Sequence, residues 1–296
     1  MNQIITPIDN HILKKDSSVL DYISLAKPRV MSLVVFSSIA GIVMAPGKIS
    51  IIETIVIILC ICLSSGASAA INMWYDRDID SIMTRTKDRP IVSGKIDAIE
   101  ALSFGIIFSF FSIFLLAICV NFLSAFLTLL AILIYVFIYT IWLKRTSIHN
   151  IVIGGAAGAI PPMIGYAGAC GKIDLVSFTM FLIIFLWTPP HFWSLALLRQ
   201  SEYKKCNVPM LPVIKGDYHT KIQIIIYVIL TIIASLIPYF LNVVGNIYLL
   251  FAISSGIYFV YISFRLLKQY CKPYFVFTYS ILYLFGIFTF MMIDKI

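Results

Sequence analysis

The feature that most constrains this chain is the length of its stretches without a charged side chain. Seven long ones, 30–47, 54–75, 101–143, 146–171, 175–198, 222–264 and 273–293, contain no Asp, Glu, Lys or Arg. A helix crosses the hydrocarbon core of a bilayer in about 20 apolar residues, at about 1.5 Å of rise each. Five of the runs fit one crossing apiece. The two 43-residue runs would extend about 65 Å as single helices, roughly twice the core. Each therefore turns back once, the first near Asn121 and the second in the stretch holding Asn242, Gly245 and Asn246. The expected fold is an all-α integral membrane bundle of about nine transmembrane helices. Composition excludes the soluble alternative, because the chain is 60% hydrophobic and 12% charged, against roughly a quarter charged in soluble domains.

The basic residues set the orientation, since Lys and Arg collect on cytoplasmic loops. With the N-terminus inside, 19 of the 22 Lys and Arg residues fall on inside segments, and only Lys48, Lys172 and Lys295 fall outside. The expectation is N-inside and C-outside. The net charge of +8 then marks loops facing anionic headgroups of membrane lipids, and no nucleic-acid partner is needed. Residues 1–28 form a cytoplasmic N-terminal segment. They lack the apolar core and small-residue cleavage site of a signal peptide, and they contain no Arg before Arg29 and three Asp, which opposes a mitochondrial leader. A bacterial cytoplasmic (inner) membrane is the expected home of a multi-pass chain of this kind. Residues 29–296 read as a single polytopic domain. The six Cys lie scattered without metal-ligand spacing and read as apolar filler.

Outside connections are short, but two inside ones are long and charged, about 76–97 and 199–221. Loops held by a rigid scaffold are where function concentrates. The first of them begins Asn72-Met-Trp-Tyr-Asp76-Arg-Asp78-Ile-Asp80. Asn72, Asp76 and Asp80 recur every four residues and so share a helix face, while Asp78 falls on the far side. Two carboxylates and an amide are hard oxygen ligands suited to Mg²⁺, which commonly shares its shell with substrate phosphates. Arg85, Lys87, Arg89 and Lys95 follow at once, cations able to hold a diphosphate. A solvated charged loop at the membrane boundary is the plainer explanation, and the shared face weighs against it.

The stretch NMWYDRDIDSIMTRTKDRPIVSG, residues 72–94, resembles the first aspartate-rich motif of the UbiA superfamily of intramembrane prenyltransferases. Three further stretches resemble its heme-farnesylating branch: LAKPRV at 25–30, YTIWLKRTSIHNIVIGGAAGAIPPMIG at 139–165, and WTPPHFWSLALLRQSEY with VPMLPVIKG in the second long loop. The resemblance implies a UbiA-like bundle, Mg²⁺ as cofactor, and farnesyl diphosphate and heme B (protoheme IX) as substrates. The implied reaction joins the farnesyl group to a heme vinyl with addition of water, giving heme O for terminal oxidases, with heme A synthase a candidate partner. It casts Asn72, Asp76 and Asp80 as catalytic metal ligands, with Glu202 as a further ligand. Arg85, Arg89, Lys95, Lys144 and Arg145 become the candidate diphosphate clamp. His191, Arg199 and Tyr203 become candidate heme contacts. Ser201 stands where relatives carry an acid, which removes position 201 from the ligand set.

The alternative within the superfamily is transfer to an aromatic quinone precursor, opposed by the absence of a second aspartate-rich motif after the sixth helix. A secondary transporter would place ionisable groups near the midplane, whereas these cluster at one end. If the sixth helix continues past its end, His191, Arg199 and Glu202 face one direction. Gly154, Gly155, Gly158 and Gly165 follow the spacing of close helix packing, and Pro161–Pro162 breaks that helix locally.

Overall fold

The computed structural model describes residues 17–296, without the side chains of Arg29 and Val30; most of the N-terminal segment 1–28 lies outside the described residues. Twelve helices follow in order: α1 (Val19–Leu25), α2 (Pro28–Met44), α3 (Ile51–Tyr75), α4 (Arg77–Ile82), α5 (Ala98–Cys119), α6 (Phe122–Thr146), α7 (Asn150–Cys170), α8 (Leu175–Leu198), α9 (Gln200–Lys205), α10 (Leu211–Phe240), α11 (Asn246–Leu267) and α12 (Pro273–Ile293). Among the described residues, eight of these are long and apolar enough to cross a membrane, and α2 is a shorter apolar helix. Large apolar side chains such as Phe110, Phe122 and Leu250 stand exposed along them, as a lipid-facing surface requires.

Both expected reversals are present, and local chemistry makes them. Asn121 caps α6 by accepting from Ser124 N at 2.8 Å, and its Nδ2 donates to Ala167 O at 2.9 Å. At the second reversal Asp294 ties the turn, accepting from Gly245 N at 3.0 Å and Tyr248 N at 2.8 Å. Lys295 Nζ then donates to Val43 O and Ala45 O, covering the open carbonyls at the end of α2. Both long loops are structured, the first by α4 and the second by α9 and the start of α10. Within α10 the backbone breaks at Gly216, whose φ of +78° a residue with a Cβ rarely adopts.

Two further helices depart from regular geometry, and both departures shape the interior. Residues Ile134–Leu143 of α6 form a π-helix, a form enriched at functional sites. Helix α7 bends at Ile160, ahead of Pro161–Pro162, into Asn150–Ala159 and Pro161–Cys170. The second half packs against α2, α3, α6 and α8, whereas the first half touches α6 and α8. In the second half the fit is at backbone distance: a Cβ on Gly41 would lie 2.0 Å from Pro162 O, and one on Gly165 would lie 2.1 Å from Ser38 O. Ser38 Oγ donates to Pro161 O at 3.0 Å, an interhelical bond of the kind that compensates proline breaks in membranes. Small-residue packing therefore seals the bundle at the end away from the long loops. At the loop end α7 leans off and leaves room.

Candidate active site

The site begins where α3 ends. Asp76 is at once the C-cap of α3 and the N-cap of α4, with φ −89° and ψ 9°. Helical bonding continues through it: Asp76 N donates to Asn72 O at 2.9 Å and Asp80 N to Asp76 O at 2.8 Å. The four-residue register is thus kept, and Asn72, Asp76 and Asp80 are all buried, at 3%, 0% and 3% exposure. Asp78 points the other way, with a side chain 60% exposed.

Each buried acid has met a cation from elsewhere. Lys144, at the end of α6, pairs with Asp76 Oδ2, and Arg89 pairs with Asp80 Oδ2. Lys27 Nζ donates to Asn72 Oδ1 at 2.9 Å, from a backbone held at φ +50°. Arg145 lies 3.5 Å from Asp76 Oδ1 while holding Asp78 at 2.7 Å through both terminal nitrogens, which keeps the Asp78 carboxyl below its usual range. Four basic residues thus gather about two buried carboxylates, with the exposed Asp78 holding one of them. Burial, with the charges of Arg89 and Lys144 and against those of Asp80 and Asp76, pushes Lys27 down to about 7. A surplus of buried positive charge favours a polyanion.

The amide of Asn72 is held on three sides. Its Nδ2 donates to Asp76 Oδ2 at 2.7 Å and to Thr140 Oγ1 at 3.1 Å, and Thr140 in turn donates to Tyr135 O at 2.8 Å, five residues back along the π-helix. This fixes Asn72 Oδ1 as its acceptor face. Among the described residues no three His, Cys, Asp or Glu side chains converge as a preassembled metal site. The donor set nonetheless fits Mg²⁺: Asp76 Oδ1 is buried and accepts no hydrogen bond, and a hard-oxygen site that shares its shell with water and phosphate needs only one or two carboxylates.

The second loop crosses this mouth. Helix α8 runs unbroken through Pro189–Pro190 to Leu198, Arg199 breaks it at φ −119°, and α9 carries Glu202 and Tyr203. Arg199 pairs with Glu202 Oε1 at 2.8 Å, while Glu202 Oε2 is buried and unpartnered. Tyr203 is buried, which raises its hydroxyl against the pull of Arg85 and Lys144. Cys206 Sγ lies 3.8 Å from Ile79 O, joining this loop to α4.

Several sequence expectations change here. Lys95 is drawn away to Asp21, at 3.0 Å, so it braces α1 and stands apart from the acids. Arg145 is engaged by Asp78, and Arg85 is exposed without an ion pair. The shared direction of His191, Arg199 and Glu202 fails because the helix stops at Leu198. His191 lies inside α8, about 10 Å short of its end at the standard rise. There its Nδ1 meets Ser280 Oγ at 2.7 Å, and its ring stacks on Trp187 and Phe277. His149 and His219 are exposed. The residues missed were Lys27, whose signals were its charge and its place in the LAKPRV stretch, and Thr140, for which a π-helix leaves no pattern to read.

Lys27, Tyr135, Tyr139 and His191 are each surrounded by protein yet keep accessible surface. Tyr135 and Tyr139 lie within reach of the charges of Asp76 and Arg89, and His191 lies deeper along α8. Gly154 abuts Tyr139 of α6, Gly155 abuts Thr188 of α8, and Gly158, angularly between them, has nothing within 4 Å, so a chamber opens there between α6 and α8.

A charged, cation-rich mouth at one end of a helical membrane bundle defines a protein that handles an anionic group at the membrane face. The chain belongs to the UbiA prenyltransferase family, whose model matches residues 34–289, and it is a membrane prenyltransferase. It is 54% identical over 277 residues to the protoheme IX farnesyltransferase of Rickettsia bellii, covering 92% of each chain. It is 49% identical over 294 residues to that of Rickettsia prowazekii, covering 97% of this chain and 94% of the other. The fold matches a digeranylgeranylglyceryl phosphate synthase with a TM-score of 0.78 at 20% identity, over 93% and 97% of the two chains. It also matches a UbiA homolog from Archaeoglobus fulgidus bound to GPP and Mg²⁺, with a TM-score of 0.66 at 17% identity, over 92% and 99%.

Proposed function

We propose that this chain transfers the farnesyl group of farnesyl diphosphate to a vinyl group of heme B, with addition of water, giving heme O. The observation that carries the donor half is the cluster of Lys27, Arg89, Lys144 and Arg145 around only two buried carboxylates. The acceptor half rests on the Rickettsia relatives, whose name states a protoheme IX farnesyltransferase. The chain sits in a bacterial inner membrane, N-inside, with α2 as the first of nine crossings and the site at the cytoplasmic face.

Asn72, Asp76 and Asp80 would hold Mg²⁺, with Glu202 completing the set from the second loop. When bound, the metal supplies electrostatic stabilisation of the departing diphosphate. Lys27, Arg89 and Lys144 each already face an acid or amide of that set, so they can turn from carboxylate to phosphate oxygen. Arg85, exposed at the mouth, steers the donor in. The C1–O bond of the donor breaks with its electron pair leaving on the diphosphate, and these cations neutralise the growing charge. The vinyl π electrons form the new bond to C1, and water takes the resulting cation beside the porphyrin, losing a proton. Tyr135 and Tyr139 line the chamber between the two reactants and keep bulk water from the first cation.

Membranes carrying the chain, given heme B, farnesyl diphosphate and Mg²⁺, should yield a porphyrin heavier than heme B by one farnesyl group plus water. Unchanged heme B alongside prenylation of a phenolic acceptor would move the chain to the quinone branch.

A further inference from the structure

His191 has a defined position. On α8, Trp187 faces α12, donating its indole N–H to Ser280 O at 2.7 Å, and Thr188 faces Gly155 of α7. His191 lies angularly between those two directions, so its ring points into the bundle interior. Trp187 and Phe277 hold the ring between them, with centroids at 4.4 and 4.6 Å. Its Nδ1 is 2.7 Å from Ser280 Oγ, and the same hydroxyl lies 2.6 Å from Phe277 O, a carbonyl that can only accept. With the serine proton on Phe277 O, the hydroxyl accepts from His191 Nδ1–H and Nε2 keeps its lone pair. Nε2 makes no hydrogen bond and is not among the sealed, unpartnered polar atoms of the described residues, so it keeps accessible surface.

We propose that Ser280 is a positioning residue that fixes His191 in this tautomer, and that Nε2 of His191 takes the iron of the porphyrin acceptor. A metal-bound imidazole characteristically donates its other N–H to an oxygen acceptor, which fixes the ring and raises its basicity. Here that acceptor is in place, the ring is clamped on both faces, and the second nitrogen keeps accessible surface. The inference rests on heme as the acceptor, as proposed above. Ligation from α8 would leave the clamp cations free for the donor.

The test is a titration of the purified full-length protein with ferric heme B, without farnesyl diphosphate, followed by electronic absorption and resonance Raman. The wild type should show an axial histidine signature. His191→Gly should lose that signature and regain it with added imidazole. Ser280→Ala should weaken heme affinity about tenfold or more, and Ser280→Thr, which keeps the hydroxyl, should retain it. An unchanged spectrum in His191→Gly overturns the ligand assignment. Wild-type behaviour of Ser280→Ala overturns the positioning role. Farnesyl transfer by the wild type is scored separately: histidine-ligated heme that is never farnesylated would defeat the proposed function and leave this site standing.

Discussion

The two halves of α7 are built from similar small residues and do opposite things. Pro161–Cys170 lies against α2 so closely that Gly41 and Gly165 have no space for a methyl group, and the bundle is shut there. Asn150–Ala159 carries Gly158 with nothing within 4 Å, one turn beyond Gly154, which abuts Tyr139. The dividing point is Ile160, where two prolines stop the helical bonding. Glycine spacing is thus a seal when a neighbouring backbone fills it and a cavity wall when none does. Polar groups follow the same division. The sealed half answers its carbonyls with Ser38 and Asn121, while the open half ends at acids and cations in excess of their partners.

If the open end is the reactive one, its chemistry should fail without loss of the fold. Asp76→Asn should cut turnover by about a thousandfold, the upper range for removing one key electrostatic group, with unchanged amounts in the membrane; normal turnover would end the metal assignment. The sealed end should show the reverse. Gly41→Ala should cost about 1–3 kcal/mol of stability, as overpacking does, whereas Gly158→Ala should gain up to about 1 kcal/mol from helix propensity. Thermal unfolding in detergent compares the pair, and equal effects would erase the distinction between the halves. Thr140→Val should lower turnover about tenfold by freeing the Asn72 amide, with recovery in Thr140→Ser.

The smallest effect concerns α1. The hydroxyl and backbone of Ser18, then Lys95, hold Asp21 down to about 2. Its folded value lies below its unfolded one, so the capping contribution is present above the ordinary carboxylate range and is lost as pH falls through about 2. Hydrogen exchange of the α1 amides should be flat from neutral pH to about pH 4 after correction for intrinsic rates, and loosening already at pH 5 would contradict it.

The reversals at Asn121 and near Gly245 were legible because hydropathy and span length are local properties, and so was the acid register, because four-residue spacing on a helix survives any packing. The partners of those acids were not legible. Lys27 reaches Asn72 across 45 residues and Lys144 reaches Asp76 across 68, while Lys95, nearer in sequence to the acids, is claimed by Asp21. Nor could His191 be placed, since its position depended on whether α8 survived two prolines. The sequence by itself determined a helical membrane bundle with acids and bases at one end, because apolar length and periodicity act within each segment. Tertiary structure decided which cation meets which acid, where α7 opens, and which oxygen meets His191. Those depend on the distance between segments, which only packing sets.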